Sequence, residues 1–223
     1  MAKSEHHILF ILDRSGSMEP RRADVIGGFN QFVQQLREDQ HSGMDTFVSL
    51  VQFDDTSETV FSRVSINDVR PISSRTYRTR GSTALLDTVF ESVTAYRASI
   101  GQGAFGNTKL SVAPAVQVVV FTDGAENASH RYRADQVAQL LAECEALGNW
   151  TFVYIGAHSD AWAEASVTGH KRGNTRQFRA EEVGDALVSV SERTKVFRKA
   201  YAEDATYKQT EEFFNGEPEP VRL

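Results

Sequence analysis

Residues 7–17 read His7-Ile8-Leu9-Phe10-Ile11-Leu12-Asp13-Arg14-Ser15-Gly16-Ser17, an apolar run that stops abruptly at an acid, two hydroxyls and a glycine. An unbroken aliphatic and aromatic run, without the polar alternation of a half-exposed strand, is what a strand covered on both faces requires. Comparable runs lie at Phe47 to Phe53, Thr59 to Ile66, Val116 to Phe121 and Thr151 to Ile155, with a short candidate near Gln177-Phe178. Between them the apolar residues change period. Val25, Phe29, Phe32 and Leu36 form one set; Leu86, Val89, Val93 and Tyr96 a second; Val137, Leu140, Leu141 and Cys144 a third; Val183, Leu187, Val190 and Phe197 a fourth. Spacings of three and four place each set on one helix face.

Strands alternating with helices predict an α/β protein: a doubly wound, mostly parallel, Rossmann-like central sheet of about six strands flanked by helices. The polar stretch Phe53-Asp54-Asp55-Thr56-Ser57 is short enough for a hairpin, which makes one strand antiparallel. Ligands of such sheets gather beyond the carboxyl ends of the strands, beside the point where strand order reverses. The residues immediately after each strand therefore carry the search for function.

Composition narrows the classes. The 223 residues carry 24 Lys and Arg against 30 Asp and Glu, a formal charge of −6, and no basic run, so nucleic acid is not an expected partner. From Glu203 onward there are six acids and two basic residues, with two prolines near the end. One domain over residues 1–202 and an acidic, loose tail over 203–223 are expected. The apolar run at Ile8 to Leu12 is too short for a signal-peptide core or a membrane span. A single cysteine, Cys144, suits a reducing compartment, so a cytoplasmic location is expected.

Three segments belong at the same end of the sheet: Asp13-Arg14-Ser15-Gly16-Ser17-Met18, Gly81-Ser82-Thr83-Ala84-Leu85, and Thr122-Asp123-Gly124. Together they offer carboxylates and hydroxyls without thiolate or imidazole, the donor chemistry of Mg²⁺, Mn²⁺ or Ca²⁺ rather than zinc. Asp13-x-Ser15-x-Ser17, the distant Thr83 and Thr122-Asp123-Gly124 resemble the metal-ion-dependent adhesion site (MIDAS) of a von Willebrand factor type A (VWA) domain of the stand-alone bacterial type. The resemblance spans roughly residues 6–200. It implies that Ser15, Ser17 and Thr83 reach the cation directly or through water and that Asp13 and Asp123 hold its waters. It also implies that an Asp or Glu of a protein partner completes the coordination, so recognition rather than catalysis follows. Stand-alone domains of this kind resemble adaptors of AAA+ ATPases. Gly16 and Gly124 are expected to supply positive φ or close approach to the ion, and Arg14, Arg80, Asn127 and His158 are candidates for touching the partner.

Other constellations are weaker. Asp54 and Asp55 read as a hairpin rather than a catalytic dyad. Gly101-x-Gly103-x-x-Gly106 spells a dinucleotide fingerprint but lacks the strand before and helix after that it needs. His6 and His7, adjacent on a strand, point to opposite faces. Cys144 falls on an apolar stripe and reads as core. Two alternatives to metal-dependent recognition remain: a phosphatase of the haloacid-dehalogenase kind, for which Ser15 stands where a second Asp is needed, and a structural building block of a larger assembly.

Overall fold

The computed structural model describes residues 4–39, 44–101, 113–157, 161–179, 182–203 and 213–214. The elements run β1 (Ser4–Asp13), a 3-10 turn (Gly16–Arg21), α1 (Arg22–Glu38), β2 (Met44–Phe53), β3 (Ser57–Ser65), α2 (Leu85–Gly101), β4 (Ala115–Thr122), α3 (Ala134–Ala146), β5 (Trp150–Gly156), α4 (Ala161–Val167), a second 3-10 turn (Arg172–Asn174), β6 (Thr175–Gln177) and α5 (Val183–Glu203). The strands lie in the order β3-β2-β1-β4-β5-β6, and every pairing is parallel save that of β2 with β3. This is the doubly wound α/β sheet expected from the sequence, with the antiparallel pair at the 54–56 turn.

The layers follow from the two periodicities. Ile8, Phe10 and Leu12 of β1 join one core with Phe29, Phe32 and Leu36 of α1 and Val183, Leu187 and Val190 of α5. Leu9 and Ile11, on the other face, join Val89 and Val93 of α2 and Val137 and Leu141 of α3. The Phe10 ring meets Phe29 edge-on at 5.2 Å and Phe32 at 5.5 Å, and burying one such ring is worth roughly 1.5–3 kcal/mol. Cys144 lies in the second core, and burial pushes its thiol up to about 11. His6 and His7 do face opposite ways, His6 against Phe197 and His7 with Nδ1 2.8 Å from the Tyr96 hydroxyl.

Some features escape the apolar pattern. Helix α4 is only seven residues long, about two turns, too short for its apolar residues to stand out as a periodic set. Within the stretch expected to be loose, Phe213 and Phe214 are buried in the first core, and Phe214 N donates to Gly173 O at 2.9 Å. The remaining tail from 204, the glycine-rich segment beyond Gly101 and His158 lie outside the described residues. No described helix is long and apolar enough to cross a membrane.

The chain leaves β1 toward β2 on one side, while β4 flanks β1 on the other. Asp13 ends β1 and Thr122 ends β4. The reversal of strand order therefore opens a crevice between these two ends, where such sheets bind ligands.

Candidate metal centre

Asp13 is fully buried at the foot of the crevice, and both carboxylate oxygens are engaged. Ser15 N donates to Oδ1 at 2.6 Å and Thr122 Oγ1 to Oδ2 at 2.6 Å. Gly124 N in turn donates to Thr122 Oγ1 at 3.2 Å. Burial outweighs these hydrogen bonds, and with the nearby charge of Asp123 it raises the Asp13 carboxyl to about 6. A cation beside it favours the carboxylate form.

The 3-10 turn after β1 swings Ser15 and Ser17 together, pinned by the fully buried Met18. Their hydroxyl oxygens lie 3.0 Å apart, and Ser17 Oγ donates to Asp123 Oδ1 at 2.6 Å. Thr83 arrives from the loop before α2. Its amide donates to Asn127 Oδ1 at 2.8 Å, while Asn127 N and Ala128 N donate to Thr83 O at 3.1 and 3.2 Å. Gly81 has φ +66° and accepts Gly16 N at 3.1 Å, which seats this loop on the serine turn. A side chain at that φ is strained, so glycine is needed there.

The three hydroxyls converge. A Cβ placed on Gly124 would lie 3.1 Å from Thr83 Oγ1, 3.3 Å from Ser17 Oγ and 4.0 Å from Ser15 Oγ. The three atoms nearest that point are thus all hydroxyl oxygens, and Ser17 links them to Asp123, a donor chemistry that suits a hard divalent ion. Among the described residues no three His, Cys, Asp or Glu side chains are grouped to hold a metal elsewhere. The expected role of glycine is partly corrected: neither Gly16 nor Gly124 has positive φ, and only Gly124 is held by close approach to the hydroxyls.

Two of the partner-contact candidates have partners inside the protein. Arg14 is buried and bonds Asp54 Oδ2 at 2.8 Å and Glu58 Oε2 at 2.6 Å, so it cannot reach out to a partner. Asn127 stands at the surface, but its amide holds Thr83. Arg80 is exposed, yet its Nε also donates to Asp54 Oδ2 at 2.8 Å. Burial pushes the Asp54 carboxyl up, but hydrogen bonds from Arg80, Thr56 and Arg14 outweigh it and hold the carboxyl well below the usual range. Asp54 is thus a charge hub behind the site, whereas Asp55 is exposed beside Gly81. No catalytic dyad results.

Two residues were not legible in advance. Tyr77 is fully buried, and its hydroxyl donates to Asp13 O at 2.6 Å, tying the 66–84 connection to the end of β1. Arg21, four residues after Ser17, sets Nη1 2.5 Å from Asp123 Oδ2 and 3.2 Å from Ser17 O. One aspartate of the site is therefore neutralised by an arginine of the same turn. No apolar periodicity marks it, because it lies in the 3-10 turn after β1.

No family model and no curated protein sequence matches this chain. Solved structures do share its fold. Proximal thread matrix protein 1 (PTMP1) from the mussel byssus is 18% identical with a TM-score of 0.57, over 92% of this chain and 48% of that one. A von Willebrand factor type A structure from Catenulispora acidiphila is 13% identical with a TM-score of 0.56, over 86% and 43%. The ArnB paralog VWA2 from Sulfolobus acidocaldarius is 16% identical with a TM-score of 0.52, over 84% and 46%. PTMP1 has also been solved with a zinc-occupied MIDAS motif. The chain spans about half the length of these structures. It has the von Willebrand factor type A fold; at these identities, the likeness speaks for the fold alone.

Proposed function

We propose that this chain is a non-catalytic protein-recognition module that works through a divalent cation held by Asp13, Ser15, Ser17, Thr83 and Asp123. The observation that carries the proposal is the convergence of the Ser15, Ser17 and Thr83 hydroxyls around the point where a Gly124 side chain would sit. Neutral hydroxyls at the centre with two acids behind them leave a bound cation under-neutralised, and Mg²⁺ in such surroundings is an acceptor for an external carboxylate. An Asp or Glu of the partner would supply it. Arg21 on Asp123 strengthens this bias, because it removes negative charge from the protein's own donor set.

The chain's residues do the positioning. Thr122 and the Ser15 amide orient Asp13, Asn127 orients Thr83, and Arg14 and Arg80 anchor the loops through Asp54. The arrangement favours recognition over phosphate-ester hydrolysis, because Ser15 stands where a second acid would be needed to protonate the leaving group. Mg²⁺ is the proposed ion, with Mn²⁺ and Ca²⁺ as substitutes; the zinc reported for PTMP1 makes Zn²⁺ a fourth ion to compare. An AAA+ ATPase as partner and a cytoplasmic setting are the narrower parts of the proposal, resting on the resemblance and on the lone cysteine.

Water-proton relaxation of the Mn²⁺-loaded protein tests the open coordination position. Binding should enhance the relaxation, and added glutarate, a stand-in for the partner's carboxylate, should reduce it. Thr83→Ala should abolish both effects. No enhancement with the native protein would overturn the proposal.

A further inference from the structure

The two rims of the candidate metal centre differ in charge. Residues 70–80 hold four arginines, Arg70, Arg75, Arg78 and Arg80, and no acid. This connection climbs along α1: Asn30 Nδ2 donates to Ile72 O at 2.9 Å, and Arg22 donates to Ser74 O at 2.5 Å and Tyr77 O at 3.2 Å. It then docks on the metal-binding turn through the Tyr77 hydroxyl on Asp13 O and Arg80 N on Arg14 O at 2.8 Å. Its tip is ordered. Thr76 N and Tyr77 N donate to Ser73 O at 3.0 and 2.8 Å, and Arg78 Nε donates to Arg75 O at 3.2 Å.

Neighbouring acids are already committed or lie elsewhere. Asp54 takes Arg14 and Arg80, Glu58 takes Arg14, and Glu19 receives the Thr79 hydroxyl and faces Arg22. Asp55 is exposed beside Gly81. Arg75 and Arg78 are exposed and have no acidic partner among the described residues. On the opposite rim the arginines are matched: Arg131 pairs with Asp87 and Glu91, and Arg133 with Asp135.

We propose that the partner segment is an acidic peptide stretch that places one carboxylate on the metal and further acids along the 75–80 rim, with Arg75 and Arg78 as their receptors. The inference deepens the metal-bridged reading and rests on it for the first of those carboxylates. Because the tip is held in place before binding, little ordering cost falls on the contact. A one-sided surplus of positive charge also fixes the direction in which the peptide lies.

Two fluorescent peptides test the inference. Each has one central Asp; one carries three Glu on one flank, and the other carries Ser in their place. With saturating Mg²⁺ the native protein should bind the Glu-flanked peptide roughly five- to tenfold more tightly, the yield of two rim ion pairs. Arg75→Ser with Arg78→Ser, both at exposed positions, should close that gap to within about twofold and leave the Ser-flanked peptide unaffected. Arg131→Ser with Arg133→Ser should preserve the gap.

A gap that survives loss of Arg75 and Arg78, equal loss from either rim, or no binding of the Glu-flanked peptide would overturn the inference. So would a short single-stranded oligonucleotide bound more tightly than that peptide. Chelation separates the two readings. Glu-flanked binding that persists in EDTA and still needs Arg75 and Arg78 keeps the acidic-rim surface and removes the metal bridge. Mg²⁺-dependent binding indifferent to these arginines keeps the bridge and removes the rim.

Discussion

Replacing Arg21 with Gln should lower the stability of the chelated protein while tightening its grip on a divalent cation. The Asp123 side chain is 1% exposed and the Arg21 side chain 23% exposed, with Nη1 2.5 Å from Oδ2. Breaking one side of a fully buried pair costs about 3–5 kcal/mol, and an exposed pair is worth about 0–1. This pair is intermediate, so about 2 kcal/mol is expected, or a fall in Tm of about 4–8 °C for a domain of this size. The same guanidinium repels a cation. A unit charge and a divalent ion at a separation on the order of 5 Å repel by ~1.7 kcal/mol even in water, so its loss should tighten binding roughly tenfold. Calorimetric melting in EDTA and isothermal titration with Mn²⁺ measure the two effects. If Arg21→Gln melts like the native protein and binds Mn²⁺ no more tightly, the assignment of Arg21 as an internal counter-ion is wrong.

Three further outcomes are expected. Gly124→Ala should put a methyl group against the Thr83 and Ser17 hydroxyls, costing about 1–2 kcal/mol of stability and abolishing the cation-induced rise in Tm; a retained rise would contradict the placement. The Asp13 carboxyl, raised by burial to about 6 from 3.8, binds its proton more tightly in the folded state. Its contribution, on the order of 2–3 kcal/mol, is full below about pH 4 and lost as pH rises through about 6. The chelated protein should therefore lose stability across that window while the Mg²⁺-induced shift in Tm grows, and a shift independent of pH would count against Asp13. Arg14→Ala should cost about 3 kcal/mol, because it leaves buried Asp54 with Arg80 and Thr56 alone. Asp54 is depressed, so its stabilisation is present above the usual carboxylate range and is lost only as pH falls through its folded value. Acid unfolding of Arg14→Ala should accordingly begin at higher pH than in the native protein.

The mostly parallel sheet and its alternation with helices were legible because both-face burial leaves an unmistakable mark: Ile8 to Leu12 and Val116 to Phe121 have no polar interruption other than Gln117, which hydrogen-bonds Thr194 inside the protein at 3.0 Å. The gathering of these oxygen-bearing side chains was legible because Asp13, Ser15, Ser17 and Asp123 stand at or just beyond the ends of strands that the topology brings together. What failed to show was direction. Arg14 follows Asp13 in the same exposed-looking loop, yet it turns inward to Asp54. Arg21 lies in a 3-10 turn, where neither helical nor strand periodicity says which way a side chain points. Tyr77 sits in a connection without periodicity, and its tie to Asp13 O spans 64 residues of sequence. Helix α4 has only seven residues, too few turns for a periodic apolar set to stand out, and Phe213-Phe214 was masked by the acids around it.

The most direct test of metal-dependent recognition is the melting curve of the native protein and of an Asp13→Ala, Ser15→Ala double variant in Mg²⁺, Mn²⁺, Ca²⁺ and EDTA. A cation that binds only the folded state adds RT ln(1 + [L]/Kd), about 2.7 kcal/mol at a hundredfold excess over Kd. For a domain of this size that is a rise in Tm of about 5–10 °C. The native protein should show it with Mg²⁺ or Mn²⁺, EDTA should reverse it, and the double variant should lack it. Equal melting of the native protein with and without every cation at millimolar concentration, or the same rise in the double variant, would contradict a metal centre at these five residues.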